Sequence, residues 1–234
     1  TISTIIIVDS LSQKDFLEGQ NVVKKNKALV IGYGSISGVD VKRFHPDKNA
    51  RDKVRLDMNV QNSAIVFLFV GRLKKDKGVF ELAESFSRVC DKIPNAELWF
   101  VGDDEENIKC ELDPYISIKY KNIKFIEYTT SPERYMKAAD VFCLPSYREG
   151  FGTSIIEAAS CGIPSIGTRI YGIIDAIVDN KTGLLVNVKS IDSLTFGMLK
   201  MAKNNSFRKE MGIRAEKNAL ERFDSDRVTE GLLL

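Results

Sequence analysis

From residue 64 onward, short β-branched and aromatic runs alternate with longer amphipathic segments, and few architectures accept that rhythm. Runs of four to seven apolar residues are too short for buried helices and read as strands. Amphipathic segments between them must cover the faces those strands leave bare. The pattern therefore predicts an α/β fold, a doubly wound, Rossmann-like parallel sheet with crossover helices. Strands are expected at 64–70, 96–101, 123–126, 141–144, 164–167 and 183–186. Helices are expected near 78–91, 104–112, 132–139, 153–161, 172–178 and 190–203, with a long polar helix over about 206–222. Before this unit, 5–8 and 28–31 read as strands around a helix over 13–25, and the polar stretch near Pro46 reads as a linker. In a doubly wound sheet ligands bind beyond the carboxyl ends of the strands, so the loops there are where chemistry is sought.

Composition narrows the function classes. With 234 residues, 44% apolar and 28% charged, the chain can bury a sizeable core without staples. A formal net charge of +2 gives no reason to expect a nucleic-acid partner. Cys90, Cys110, Cys143 and Cys161 form no C-x-x-C pair and read as free thiols, which fits a reducing, cytoplasmic compartment. His45 is the single histidine, too few for a His-rich metal site and a weak start for a Ser-His-Asp triad. No stretch reaches the roughly 18 apolar residues of a membrane span. The opening TISTIIIVDS lacks the basic flank of a signal peptide, lacks an initiator methionine and reads as the middle of a fold.

Three segments carry candidate chemistry. Gly32, Gly34 and Gly38 invite a dinucleotide-binding reading, but VDVKRFHP follows them, and Pro46 with its polar neighbours denies the helix that should meet a pyrophosphate. A hinge is the preferred reading. In FVGRLKKDKG, a strand ends at Gly71, and Arg72 and Lys77 precede a helix opening at Gly78. Two cations beside a helix N-terminus suit a diphosphate; a solvated basic turn explains them as well. In LPSYREGFGTSIIEAASCGIPSIGT, a strand ends at Pro145 and a glycine-rich loop (Glu149, Gly150, Phe151, Gly152) opens a helix at Thr153. Free N–H groups there can cradle a phosphate or a sugar hydroxyl. Glu157 sits among Ile155, Ile156, Ala158 and Ala159, and a carboxylate in such surroundings needs a partner. A ribose diol is one. Glu149 can also be read as a helix-dipole charge, an explanation that does not extend to Glu157.

The Glu-x7-Glu pattern of REGFGTSIIEAASCGIPSIGT resembles the donor-site signature of the retaining glycosyltransferase family four, of GT-B fold. FVGRLKKDKG, AELWFVGDDEE, AADVFCLPSYREGFG, NKTGLLV and GSISGVDVKRFHP are similar to further segments of that family, in its order, over most of residues 28–190. The resemblance implies the C-terminal, donor-binding half of a GT-B enzyme. It implies a remnant of the acceptor domain at 1–27, an interdomain stretch at 28–48, a nucleotide-sugar domain at 49–205 and a C-terminal helix at 206–234. Arg72 and Lys77 would hold the donor diphosphate beside Gly71, Glu149 would contact the transferred sugar, and Glu157 the ribose. Backbone N–H groups of Gly150, Phe151, Gly152 and Thr153 would meet phosphate and sugar, with the 127–130 loop beside the base. The implied partners are a UDP-sugar, favoured over a GDP-sugar, a missing N-terminal acceptor domain and a membrane-bound, lipid-linked acceptor in bacterial surface polysaccharide synthesis. That setting places the protein in the cytoplasm, peripheral to the inner face of the membrane. No cofactor and no metal are implied, and transfer by this stretch alone is not expected. Two departures stand out: Thr153 replaces a common leucine, and Asp103-Asp104 an Asp-Gly turn. A GT-B nucleotide-sugar epimerase, which wants catalytic histidines, and a nicotinamide-dependent oxidoreductase are the alternatives.

Overall fold

The computed structural model describes residues 6–112 and 122–233. Its main sheet is built from β3 (Val66–Val70), β4 (Glu97–Val101), β5 (Ile123–Ile126), β6 (Val141–Leu144), β7 (Ser165–Thr168) and β8 (Gly183–Val186). Every pairing is parallel, in the order β5-β4-β3-β6-β7-β8. This is the expected doubly wound α/β sheet. β3 and β6 are buried along almost their whole length, which is why they read as continuous apolar runs rather than alternating ones. Phe125 stacks on Phe100, and Phe69 packs tilted against Phe100, across three adjacent strands, with centroids 5.3 and 5.7 Å apart.

Ten helices are delimited among the described residues, one of them a single 3-10 turn. They are α1 (Leu11–Gly19), α2 (Lys48–Asp57), the 3-10 turn Lys75–Lys77, α3 (Val79–Cys90), α4 (Glu133–Ala138), α5 (Thr153–Ser160), α6 (Ile173–Ala176), α7 (Ile191–Lys203), α8 (Asn205–Arg222) and α9 (Ser225–Leu233). α3 packs on α7, α2 on α4 and α5 on α8. Amino-terminal to this unit, β1 (Ile6–Ile7) and β2 (Ala28–Leu29) pair in parallel over a small cluster of Val8, Val23 and Ala28. Ile5, part of the first expected strand, lies outside the described residues.

Four expectations change. The helix expected at 13–25 runs Leu11–Gly19 instead, because Ser10 caps it by accepting from Gln13 N at 3.1 Å and Asn21 turns left-handed just after it. The helix expected from 104 starts at 108, since the Asp104 carboxylate accepts from Ile108 N and Lys109 N and so caps it. The long polar helix expected over 206–222 is found as Asn205–Arg222, but the 206–234 segment is not one helix, since Ser225–Leu233 forms a second. The chain breaks at Phe223–Asp224, where Val39 N donates to Phe223 O (2.7 Å) and Ser225 N to Val39 O (2.9 Å).

The fourth change is α2, a helix where none was expected. Its buried side is charged: Arg55 is 1% exposed, and Arg51 lies one turn earlier. Both clasp Asp140 at the start of β6. Arg55 Nη2 donates to Oδ2 at 2.6 Å and Arg51 Nη2 to Oδ1 at 2.7 Å, while Val66 N also reaches Oδ2. Arg55 spends its other donors on the carbonyls of Ala138 and Ala64. Burial pulls its guanidinium downward and the Asp140 charge holds it up. Removing one member of such a pair leaves a buried charge uncompensated. Asp140→Ala is therefore expected to cost about 3–5 kcal/mol in urea unfolding. A loss under 1 kcal/mol would show that water replaces the carboxylate at no cost.

Candidate functional site at the strand switch point

β3 pairs with β4 on one side and β6 on the other, so the connections leaving β3 and β6 diverge and open a crevice at their carboxyl ends. The two segments singled out in the sequence leave from those ends. After β3 come Gly71, Arg72 and the 3-10 turn carrying Lys77; after β6 come Pro145, Glu149 and the N-terminus of α5. The loops touch. Gly78, at φ 69°, brings its backbone so close to Pro145 that a Cβ would sit 2.2 Å from the Pro145 carbonyl oxygen. Only glycine accepts that conformation and that approach together. Tyr147 N donates to Asp76 O at 2.8 Å, and Tyr147 OH to Glu81 Oε1 at 2.5 Å. Burial and the adjoining Glu81 carboxylate push the Tyr147 phenol well above its ordinary range.

Within this frame Lys77 Nζ donates to Glu149 Oε1 at 2.6 Å, both side chains being less than one-fifth exposed. Ser146 Oγ donates to the same oxygen at 2.8 Å. α5 starts at Gly152 without a side-chain cap, so its first N–H groups have no side-chain acceptor. The Phe151 side chain is buried against Phe223, which leaves only its backbone to face a ligand. Thr153 is half-buried at the first position of the helix.

Arg72 and Glu157 meet in a cavity of about 600 Å³, lined also by Gly71, Gly102, Asp103, residues 128–130 and Arg43. Lys77 and Glu149 lie outside its lining. The Arg72 side chain is 60% exposed, and its nearest carboxylate is Glu105 at 3.5 Å. Glu157 accepts no hydrogen bond from any described residue, and burial raises its pKa above the carboxylate norm, with Arg43 opposing and Glu133 adding to the rise. Gly102, at φ 142°, abuts Gly71 so tightly that a Cβ would stand 2.1 Å from the Gly71 carbonyl oxygen, which joins the β3 and β4 turns into one wall.

Sequence reasoning missed Arg43. Its Nε and Nη2 donate to Glu133 Oε2 at 2.9 and 2.7 Å, and Nη2 also reaches the Thr130 carbonyl. It thus ties the segment before α2 to the 127–130 loop and the start of α4; nothing in VDVKRFHP marks it apart from its neighbours. The start of α1 was missed as well. Ser10 Oγ donates to Gly150 O at 3.3 Å, Gly172 N donates to Ser12 Oγ at 2.7 Å, and Phe16 stacks on Tyr171 at 4.4 Å. Gly32, Gly34 and Gly38 open no helix, since the chain runs through turns to α2.

The glycosyl transferases group 1 profile matches residues 50–218. The chain belongs to that family. It is 32% identical over 231 residues to the capsular polysaccharide biosynthesis glycosyltransferase CapM of Staphylococcus aureus, covering 98% of this chain and 60% of CapM. It is 25% identical over 223 residues to N-acetyl-alpha-D-glucosaminyl L-malate synthase of Bacillus anthracis, covering 95% and 57% of the two chains. The group 1 chain thus spans about three-fifths of these relatives' length. Among solved structures, HepE of Anabaena, crystallised with UDP and glucose, superposes with a TM-score of 0.88 at 21% identity, over 99% of this chain and 62% of HepE. The shared fold is that of the GT-B glycosyltransferases.

Glu157 gives the pocket a pH signature. A carboxyl whose folded pKa is raised binds its proton more tightly in the native state. Its destabilising effect is absent below the unfolded value, near 4.3, and full above the folded one. Glu157→Gln should therefore gain stability relative to wild type as pH rises from 4 to 7. Urea melts at both values decide it, and a difference that is flat or falls with pH would contradict the burial argument.

Proposed function

We propose that this chain is the donor-binding half of a retaining hexosyltransferase that uses a UDP-sugar in preference to a GDP-sugar. The observation that carries this reading is the junction of Arg72 and Glu157 in one cavity at the switch point, with the Lys77–Glu149 pair and the uncapped α5 N-terminus on the adjoining loop. A nucleoside diphosphate needs those groups: cations and helix N–H groups for the phosphates, a carboxylate for the ribose diol. Arg72 has only a long, exposed contact to give up, and Lys77, with one ammonium donor on Glu149, has donors left for a phosphate. As the bond to the sugar breaks, both oppose the charge gathering on the leaving diphosphate. Glu149, held by Lys77 and Ser146, offers its remaining oxygen to a sugar hydroxyl. In this reading the acceptor hydroxyl attacks from the face the diphosphate leaves, and the acceptor is held by a second domain. CapM's place in capsular polysaccharide biosynthesis supports a glycan or lipid-linked acceptor in bacterial surface polysaccharide synthesis, at the cytoplasmic face of the membrane. HepE's complex with UDP supports the uridine nucleotide.

Calorimetric titration of UDP, GDP and NADH tests the reading. UDP should bind, and Arg72→Ala and Lys77→Ala should each cost about 1.5–3 kcal/mol of its binding. Glu157→Ala should weaken UDP more than pyrophosphate. Binding of NADH with indifference to UDP would overturn the proposal. Incubated with labelled UDP-sugars and a lipid extract, the 234-residue chain should hydrolyse donor slowly at most and transfer none of it, because transfer needs donor and acceptor held together. Robust transfer would refute the assignment of the acceptor site to a second domain.

A further inference from the structure

A second cavity, of about 580 Å³, lies at the opposite edge of the sheet, where β3, β6 and β7 begin. Five cationic side chains line it: Lys48, Arg51, Lys137, Arg208 and Lys209. The lining carboxylates are Asp47 and Asp140. Asp140 is already shared by Arg51 and Arg55, and Asp47 spends one oxygen capping α2 by accepting from Ala50 N. Lys48 pairs with Asp52, but Lys137 and Lys209 make no ion pair among the described residues.

Arg208 is the most telling member. Its half-buried guanidinium donates only to neutral oxygens: Met201 O at 2.7 Å, Ala202 O at 3.4 Å and Asn205 Oδ1 at 3.0 Å. No carboxylate of a described residue lies within ion-pair distance of it. Burial and the Arg51 charge both pull its pKa down, and only Asp140 pushes it up. The first turns of α2 and α8 open on the same cavity, adding the positive ends of two helices. A half-buried guanidinium with no carboxylate of a described residue in ion-pair reach, in a cavity of ligand size with surplus positive charge, is an incomplete ion-pair network.

We infer that this cavity is a second ligand site, separate from the strand switch point, that takes a phosphate-bearing anion with Arg208 and Lys137 as its principal charged contacts. Arginine's planar fork matches a phosphate's oxygens, and the flanking lysines hold it as point charges. The site stands whether or not the switch-point crevice binds a nucleotide, since the two cavities share no lining residue.

The test is an amide NMR titration with sodium phosphate against sodium chloride at matched ionic strength. Phosphate should produce saturable shifts at Lys137, Ala139, Arg208 and Lys209, reported apart from any shifts at 149–154. Arg208→Gln should weaken that saturation about tenfold. Arg208 also holds the α7 carbonyls, so Lys137→Gln, which removes no ion pair, is the fold-neutral variant and should weaken it as well. Vesicles of phosphatidylglycerol, with phosphatidylcholine as control, separate a lipid headgroup from a free phosphate. A response to vesicles in addition to phosphate makes a lipid one source of the ligand. Shifts no larger than those from chloride, shifts unchanged in both variants, or a response to vesicles with none to phosphate would each overturn the inference.

Discussion

The divergence of the chain on either side of β3 and β6 is the constraint on which the rest of this molecule depends. Both strands are central and buried, and their hydrogen-bonding edges are spent on each other and on outer strands. The connections that follow them cannot run together, so a crevice opens where no backbone closes it. Everything chemical at that end of the sheet, from Arg72 to Glu157, is carried by those two connections or by the turns that wall them in. Glycine at 78 and 102 lets the walls approach to backbone contact, closer than any side chain would permit.

Polar contacts join the two loops. Asp76 accepts from Tyr147 N through its carbonyl and pairs with Arg148 at 3.1 Å through its carboxylate, while Glu81 accepts from the Tyr147 hydroxyl. These contacts join the loop after β3 and the first turn of α3 to the loop after β6. Such positioning costs ordering entropy during folding, before any ligand arrives, and it spares that cost at binding. Asp76 Oδ1 and Glu81 Oε2 remain buried without partners among the described residues, so there the clasp is not fully satisfied.

How much was legible in the sequence follows from what each segment buries. β3 and β6 announce themselves because every side chain goes into the core, and the Glu149 and Glu157 loop stands out because glycines and acids interrupt that pattern. α2 stayed hidden because Val54 is its one buried apolar side chain beside Arg51 and Arg55, and apolar periodicity cannot register a helix docked through a carboxylate 85 residues away. Arg43 stayed hidden for a related reason. Its partners, Thr130 and Glu133, are brought near by tertiary packing alone. The break at Phe223 is set by backbone pairing with Val39, a contact that leaves no trace in side-chain pattern.

The local chemistry of Glu149 shows how the fold prepares a carboxylate for use. Both of its protein donors, Lys77 Nζ and Ser146 Oγ, converge on Oε1. Ser146 is itself fixed, because its carbonyl accepts from the buried Thr168 hydroxyl at the end of β7. The chain of contacts runs from β7 through β6 to the loop after β3, so the carboxylate's orientation is tied to three parallel strands. Oε2 takes no donor from any described residue. A carboxylate held by one oxygen with the other open is oriented before a ligand arrives, and it loses little freedom on accepting a hydroxyl. The adjacent ammonium donates to Oε1 and leaves the other oxygen open. Under the proposed donor-binding role, selectivity for the sugar then rests on where its hydroxyls fall relative to that fixed oxygen.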